Sequence, residues 1–181
     1  ATEAIEDLVE NAMHARAILN NLRSLFGEQT LTRERVDLNT LSLEVLKTLR
    51  PYSQTRLDIT TELASGLPPV LGHKGQLQEV ISNLIHNAVD AMNSIVGPRA
   101  LIVRTEREAN NKIAIAVEDR GPGVSPQYTE TIFDAFVTTK PDGMGLGLAI
   151  SKMIVERHEG TLSVSSAIPH GAIFRVTLPA A

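Results

Sequence analysis

The chain has 181 residues, 43% of them hydrophobic, enough for one domain of ordinary size with a real core plus an extra element. A net charge of −4 offers no basic field to nucleic acid, so no nucleic-acid partner is expected. With no cysteine there is no disulfide framework and no thiolate metal site, which fits a reducing, cytoplasmic setting.

The first segment runs to Phe26 without proline or glycine. Its apolar residues fall at Ile5, Leu8, Ala12, Ala15, Leu19, Leu22 and Phe26, a three–four alternation that predicts a helix with a seam for helix packing. One helix cannot bury such a stripe alone. It needs a partner helix from the rest of the parent protein or from a second copy; packing back on its own domain is the alternative. The chain opens mid-pattern on Ala1 rather than on methionine, which reads as a piece of a longer protein. No signal peptide is visible, and no apolar run approaches the roughly 20 residues needed to span a bilayer. The parent is left free to be membrane-anchored elsewhere.

Gly27 ends this helix, and Glu28 to Arg35 reads as a polar connector, placing a domain boundary near residue 30. Asp37 or Asn39 is the expected N-cap of a helix from Leu38 to Leu49, stopped by Pro51. Leu57 to Leu63 alternates as a strand, and Gly66 to Pro69 is a turn. His73 to Met92 is a strong helix. Ala100–Arg107 and Lys112–Glu118 are strands joined by a turn at Asn110-Asn111. An irregular stretch runs from Asp119 to about Asp142, then a helix from Leu146 to Arg157 ended by Gly160. Leu162–Ser166 and Ala172–Leu178 close the chain as strands. The expected fold is α+β: a two-layer α/β sandwich of helices on a mixed, largely antiparallel sheet, preceded by one long helix.

Three features carry chemistry. Asn83 and Asn87 are four apart on a helix and share a face, beside the apolar stripe of Val80, Leu84, Ala88 and Ala91. Their carbonyl oxygens suit Mg²⁺, which wants hard oxygen ligands and keeps positions for water and phosphate; ordinary surface amides are an equal alternative. Ile113, Ile115 and Val117 share one strand face, and period two puts Asp119 on that same buried face. A carboxylate there is costly without a partner, and the exocyclic amine of adenine is one. Gly121 and Gly123 let the backbone approach a flat ring, although Asp-x-Gly-Pro-Gly is also good turn chemistry. Gly143, Gly145 and Gly147 lead into a helix, where backbone N–H groups and the helix dipole favour phosphate. The spacing is not that of a dinucleotide fingerprint. Lys140, just before it, is either a charge for phosphate or a solvated lysine. Their joint order is that of an ATP site.

These residues also resemble a known family. Asn83-Leu84-Ile85-His86-Asn87 resembles the N box of sensor histidine kinases, and Asp119-x-Gly121-x-Gly123 their G1 box. Ile132-Phe133-Asp134-Ala135-Phe136-Val137-Thr138-Thr139-Lys140 resembles the F box, and Gly143-Met144-Gly145-Leu146-Gly147-Leu148 the G2 box. The resemblance covers nearly the whole chain, with the boxes in family order. It implies the ATP-binding α/β sandwich shared with gyrase, Hsp90 and MutL, here over residues 31–181. It implies that residues 1–30 are the second helix of the dimerisation and histidine-phosphotransfer hairpin. By resemblance Asn87 is the Mg²⁺ ligand, Asp119 the adenine anchor and Asn83 a phosphate-side neighbour; Asn83, Asn87 and Lys140 form the catalytic set. The implied nucleotide contacts further include Asp90, Val124, Phe133, Thr139, Leu146, Leu148 and Thr177. Phe133 to Gly143 is the lid over ATP.

No His-Glu-x-x-x-Pro-like H box occurs. His14 is followed by Ala15-Arg16-Ala17 where an acid is expected, so it reads as a helix-surface residue. His86, beside Asn87, reads as a packed neighbour of the site, with contact to phosphate as the alternative. In the related ATPases a glutamate stands at the position of Asn83, and an amide cannot be that general base. The resemblance therefore implies transfer of the ATP γ-phosphoryl to a histidine on a helix missing from this chain. From there it would pass to an aspartate of a response-regulator receiver domain, in a homodimeric parent. The rivals are an anti-sigma-type serine kinase, a degenerate kinase serving as a nucleotide-binding scaffold, and a mechanical ATPase like gyrase.

Overall fold

A computed structural model describes residues 32–49, 57–93, 95, 97–138, 140 and 143–181. The chain divides into two units at residues 31 and 32, and every described residue belongs to the second. The expected N-terminal helix, half of its connector and Pro51 lie outside the described residues.

Among the described residues, three helices and seven strands carry the fold of this unit. In chain order they are β1 (Glu34–Val36), α1 (Leu38–Thr48), β2 (Leu57–Leu63), β3 (Val70–Gly72), α2 (Lys74–Asn93), β4 (Arg99–Glu108), β5 (Lys112–Asp119), α3 (Gly147–Arg157), β6 (Thr161–Ser166) and β7 (Ala172–Pro179). Five strands form one sheet in the order β2-β4-β5-β7-β6. Only the β2–β4 pair is parallel, starting at Leu57↔Arg99, and the segment that crosses between them carries α2. The other three pairs are antiparallel, giving the mixed sheet expected.

Period two gives the sheet its two faces. Leu101 and Val103 of β4, Ile113, Ile115 and Val117 of β5, and Phe174, Val176 and Leu178 of β7 are buried on the helix side. Against them α2 sets Leu77, Val80, Ile81, Leu84, Ile85, Ala88 and Met92, all buried and spaced three or four apart. The opposite face carries ion pairs. Arg104 bridges Glu62 at 2.5 Å and Glu118, and Arg175 lies 2.9 Å from Glu108 through its Nε. Long arginine and glutamate stems cover the central strand, so Ala114 and Ala116 are buried there too.

Asp37 is the N-cap of α1, accepting the Thr40 N–H at 3.0 Å. Asn39 instead ties α1 to the sheet, donating to the Ala64 carbonyl at 2.8 Å and accepting from Thr105 Oγ1 at 2.6 Å. His158 closes α3. Its Nδ1–H donates to the Ile154 carbonyl at 2.7 Å, which leaves Nε2 to accept the His73 N–H at 3.0 Å. Burial lowers the pKa of this imidazole and keeps it neutral.

One expectation is corrected. The end of the connector is strand β1, paired antiparallel with β3 in a separate two-stranded sheet through Arg35↔Leu71. Three-residue strands are too short to show period two, and their pairing comes from across the fold. The irregular stretch after Asp119 contains one 3-10 turn, Pro126–Tyr128.

Candidate functional site

The site lies where the end of β5, one face of α2 and the start of α3 converge. Asp119 ends the central strand with 1% of its surface exposed. Its Oδ1 accepts the Gly121 N–H at 2.7 Å and the Ala172 N–H at 3.4 Å. Oδ2 takes no hydrogen bond from the described residues, so it is left for a ligand donor. Burial raises the carboxyl's pKa, opposed by the two amides that hold it. Gly121 packs on Ala91 of α2, where a Cβ would come within 3.2 Å of the alanine Cβ. Gly123 takes φ +79° and Val124 beside it is half-buried.

The turn between β6 and β7 clasps this loop. A Cβ on Gly171, at φ +114°, would overlap the Asp119 carbonyl. His170 Nδ1–H donates to the Gly121 carbonyl at 3.2 Å. Arg120 donates to the Ile168 carbonyl and pairs with buried Glu118 at 2.9 Å.

The second half of the site is a chain of side-chain amides between α3 and the lid segment. Asn83 Nδ2 donates to Ser151 Oγ at 2.8 Å, and Asn87 Nδ2 donates to Asn83 Oδ1 at 3.4 Å. Lys140 Nζ then donates to Asn87 Oδ1 at 3.1 Å and to Asp90 Oδ2 at 2.6 Å. The Lys140 and Asp90 side chains are 44% and 49% exposed. An ion pair so wet contributes about 0–1 kcal/mol and exchanges readily.

Gly147 opens α3 directly on Asn83, where a Cβ would stand 2.6 Å from Oδ1. No side chain caps this helix, so its first N–H groups are available to an anion. Gly145, at φ +64°, lies under the lid, where a Cβ would stand 2.6 Å from the Val137 carbonyl. Phe136 N–H donates to the Gly145 carbonyl at 2.9 Å. A Cβ on Gly143 would stand 2.6 Å from Thr138 Oγ1. Leu146 and Leu148 flank the turn, half-buried. Phe133 is anchored edge-on to Phe174 of β7, with centroids 6.4 Å apart.

Two expected residues stand apart, and two lie outside the described residues. Thr177 pairs with Ala114, five residues along β5 from Asp119 and on the opposite face of the sheet. That is about 17 Å down the strand, so Thr177 is no neighbour of the Asp119 carboxylate. His86, one residue from Asn87, is turned away by the helix: it is exposed, with Nδ1 2.7 Å from the Ser82 carbonyl, not packed beside the site. Thr139 and His14 are the two outside.

Ser151, Gly171 and the Glu118–Arg120 pair were not read from the sequence. A glycine between two strands signals a turn at Gly171, but its contact with Asp119 is a long-range fact. A serine inside a helix gives no signal at all.

The geometry has relatives. The sequence profile of the histidine kinase-, DNA gyrase B-, and HSP90-like ATPase family matches residues 72–181. The chain belongs to that family. The C4-dicarboxylate transport sensor protein DctS of Rhodobacter capsulatus is 34% identical over 181 residues, covering 98% of this chain and 27% of the relative. Sensor histidine kinase TmoS of Ectopseudomonas mendocina is 31% identical, covering 99% and 19%. The chain thus spans about a quarter of the length of these relatives. The crystal structure of full-length ShkA in complex with AMPPNP matches with a TM-score of 0.83 at 27% identity, covering 99% of this chain and 38% of that one. This member of the ATPase family is the ATP-binding catalytic portion of a sensor histidine kinase. Among its described residues, no helix is long and apolar enough to cross a membrane.

Proposed function

We propose that this domain holds ATP with Mg²⁺ and presents the γ-phosphoryl to a histidine outside these 181 residues. Asp119 Oδ2 accepts the exocyclic amine of adenine, with Gly121 and Gly123 against the ring. The free N–H groups at the start of α3 and the loop from Gly143 to Gly147 face the phosphates. The observation that carries this reading is the outer end of the amide chain, where Asn87 Oδ1 and the Asp90 carboxylate meet on one cation. Lys140 Nζ, held by Asn87 Oδ1 and Asp90 Oδ2, is a stand-in for a metal ion at a point lined by hard oxygens. Asn87, aided by Asp90, would hold Mg²⁺, which neutralises phosphate charge when bound. Lys140 is then displaced toward the phosphates it can pair with.

Among the described residues, the position of Asn83 offers no base to activate water. Asn83 is an amide, already committed at both ends, and cannot take a proton. What the residues do is bind, orient and neutralise, the contributions on which phosphoryl transfer rests. The histidine-borne phosphoryl would pass on to an aspartate of a response-regulator receiver domain, in a homodimeric and cytoplasmic catalytic assembly. The sensor-kinase relatives and the absence of an H box from the sequence support this order of transfer. The test is to incubate the chain with γ-labelled ATP and Mg²⁺. The expected result is retained nucleotide with no acid-labile phosphate on the protein. Label on His14 would contradict it.

A further inference from the structure

Beyond the residues that would touch ATP or metal, the amide chain has a buried end that no ligand reaches. Ser151 sits on α3, one turn after Gly147 and on the same face, and is 2% exposed. Its Oγ accepts the Asn83 Nδ2–H at 2.8 Å. From there every amide points the same way: Asn83 Oδ1 outward to Asn87 Nδ2, and Asn87 Oδ1 outward to the Lys140 ammonium. An asparagine amide has two chemically opposite ends, and rotation by half a turn exchanges them. With Asn87 turned the other way, an NH₂ would face the cation and repel it.

We propose that Ser151 is a positioning residue for the metal site. Its hydroxyl, acting through Asn83, holds the Asn87 oxygen toward the cation. Oγ provides the acceptor in which the outward polarity of the chain ends. Without it, Asn83 Nδ2 loses its partner at a part-buried helix–helix contact, where an unpaired donor is costly. The amide then turns or shifts to recover one, and Asn87 loses the acceptor that fixes its own orientation. Gly147 tightens the coupling, because its missing side chain lets α3 close directly on Asn83. The adenine end is independent of this chain, since Asp119 is held by Gly121 and Ala172.

The inference rests on the proposed Mg²⁺ site, and its test separates the two. Binding of a fluorescent ADP analogue to the whole chain is titrated with and without Mg²⁺, in wild type, Ser151→Ala, Ser151→Thr and Asn87→Ala. The wild type is expected to bind more tightly with Mg²⁺, and Asn87→Ala to lose that gain. Ser151→Ala, favourable to helix and smaller by one oxygen, is expected to keep metal-free affinity and lose roughly three- to ten-fold of the Mg²⁺-dependent gain, the worth of one hydrogen bond. Ser151→Thr, which keeps the hydroxyl, restores it. An unchanged Mg²⁺ gain in Ser151→Ala overturns the inference while leaving the metal site standing. So does an equal fall in metal-free and metal-dependent affinity, the mark of a merely structural role. No Mg²⁺ gain in wild type overturns the site and the inference together.

Discussion

Asp119 ionises at a cost, since burial makes its carboxyl hold a proton more tightly in the folded chain than in the unfolded one. A group with a raised folded pKa binds more protons in the folded state, so stability falls as pH rises through that range from the ordinary value of 3.8. At neutral pH the charged Asp119 therefore subtracts from stability. Asparagine would keep an oxygen for Gly121 and Ala172 while setting an NH₂ where, on the proposed reading, Oδ2 would accept the adenine amine. Donor against donor at a buried position should weaken nucleotide binding by about 10- to 100-fold, on the order of 1.4–2.8 kcal/mol. Asp119→Asn is expected to melt at or above the wild-type temperature while calorimetric ADP titration shows that loss. Equal nucleotide affinity in the two proteins would remove Asp119 from the adenine site.

Elements set how far each residue can be replaced. The β6–β7 turn presses Gly171 on the backbone of β5, so Gly171→Ala should cost roughly 2–4 kcal/mol in urea denaturation. Gly147 instead meets the movable amide of Asn83 first, so Gly147→Ala should leave the melting temperature nearly intact and weaken Mg²⁺-dependent nucleotide binding. A wild-type titration curve for Gly147→Ala would break the link between α3 and the amide chain. Where α3 ends, His158 is neutral and buried, with its pKa lowered from 6.5. The unfolded chain then takes up that proton first, so stability should fall with pH from about 7 to about 5. The slope over that range should shrink in His158→Gln.

The elements also differ in how plainly the sequence announces them. α2 and β5 were legible because each repeats its period long enough to declare a face, and Asp119 followed from β5 by counting. The same count, started from Phe174, puts Thr177 on the outer face of β7; assigning it to the nucleotide by family resemblance overlooked the register. β1 and β3 carry too few residues for a period. The clasp of Gly171 on Asp119 and the bond from Ser151 to Asn83 join residues 50 or more apart in sequence, so no local pattern announces them.

At the scale of the molecule, a charged outer sheet face and a helix-covered inner face leave the proposed nucleotide residues gathered at one edge of the sandwich. The Asp119 half is built on the sheet and the amide half on two helices, with the lid segment reaching the second through Lys140. The proposed transfer to a histidine brought from elsewhere rests on an amide, not a carboxylate, at Asn83. The decisive measurement mixes this chain with a polypeptide carrying the H-box helix of the parent kinase, in γ-labelled ATP and Mg²⁺. Acid-labile, alkali-stable phosphate should form on the histidine of that helix and disappear with Asp119→Asn. Free phosphate released to water at a steady rate, with nucleotide bound and the histidine unlabelled, would contradict a histidine kinase's catalytic domain.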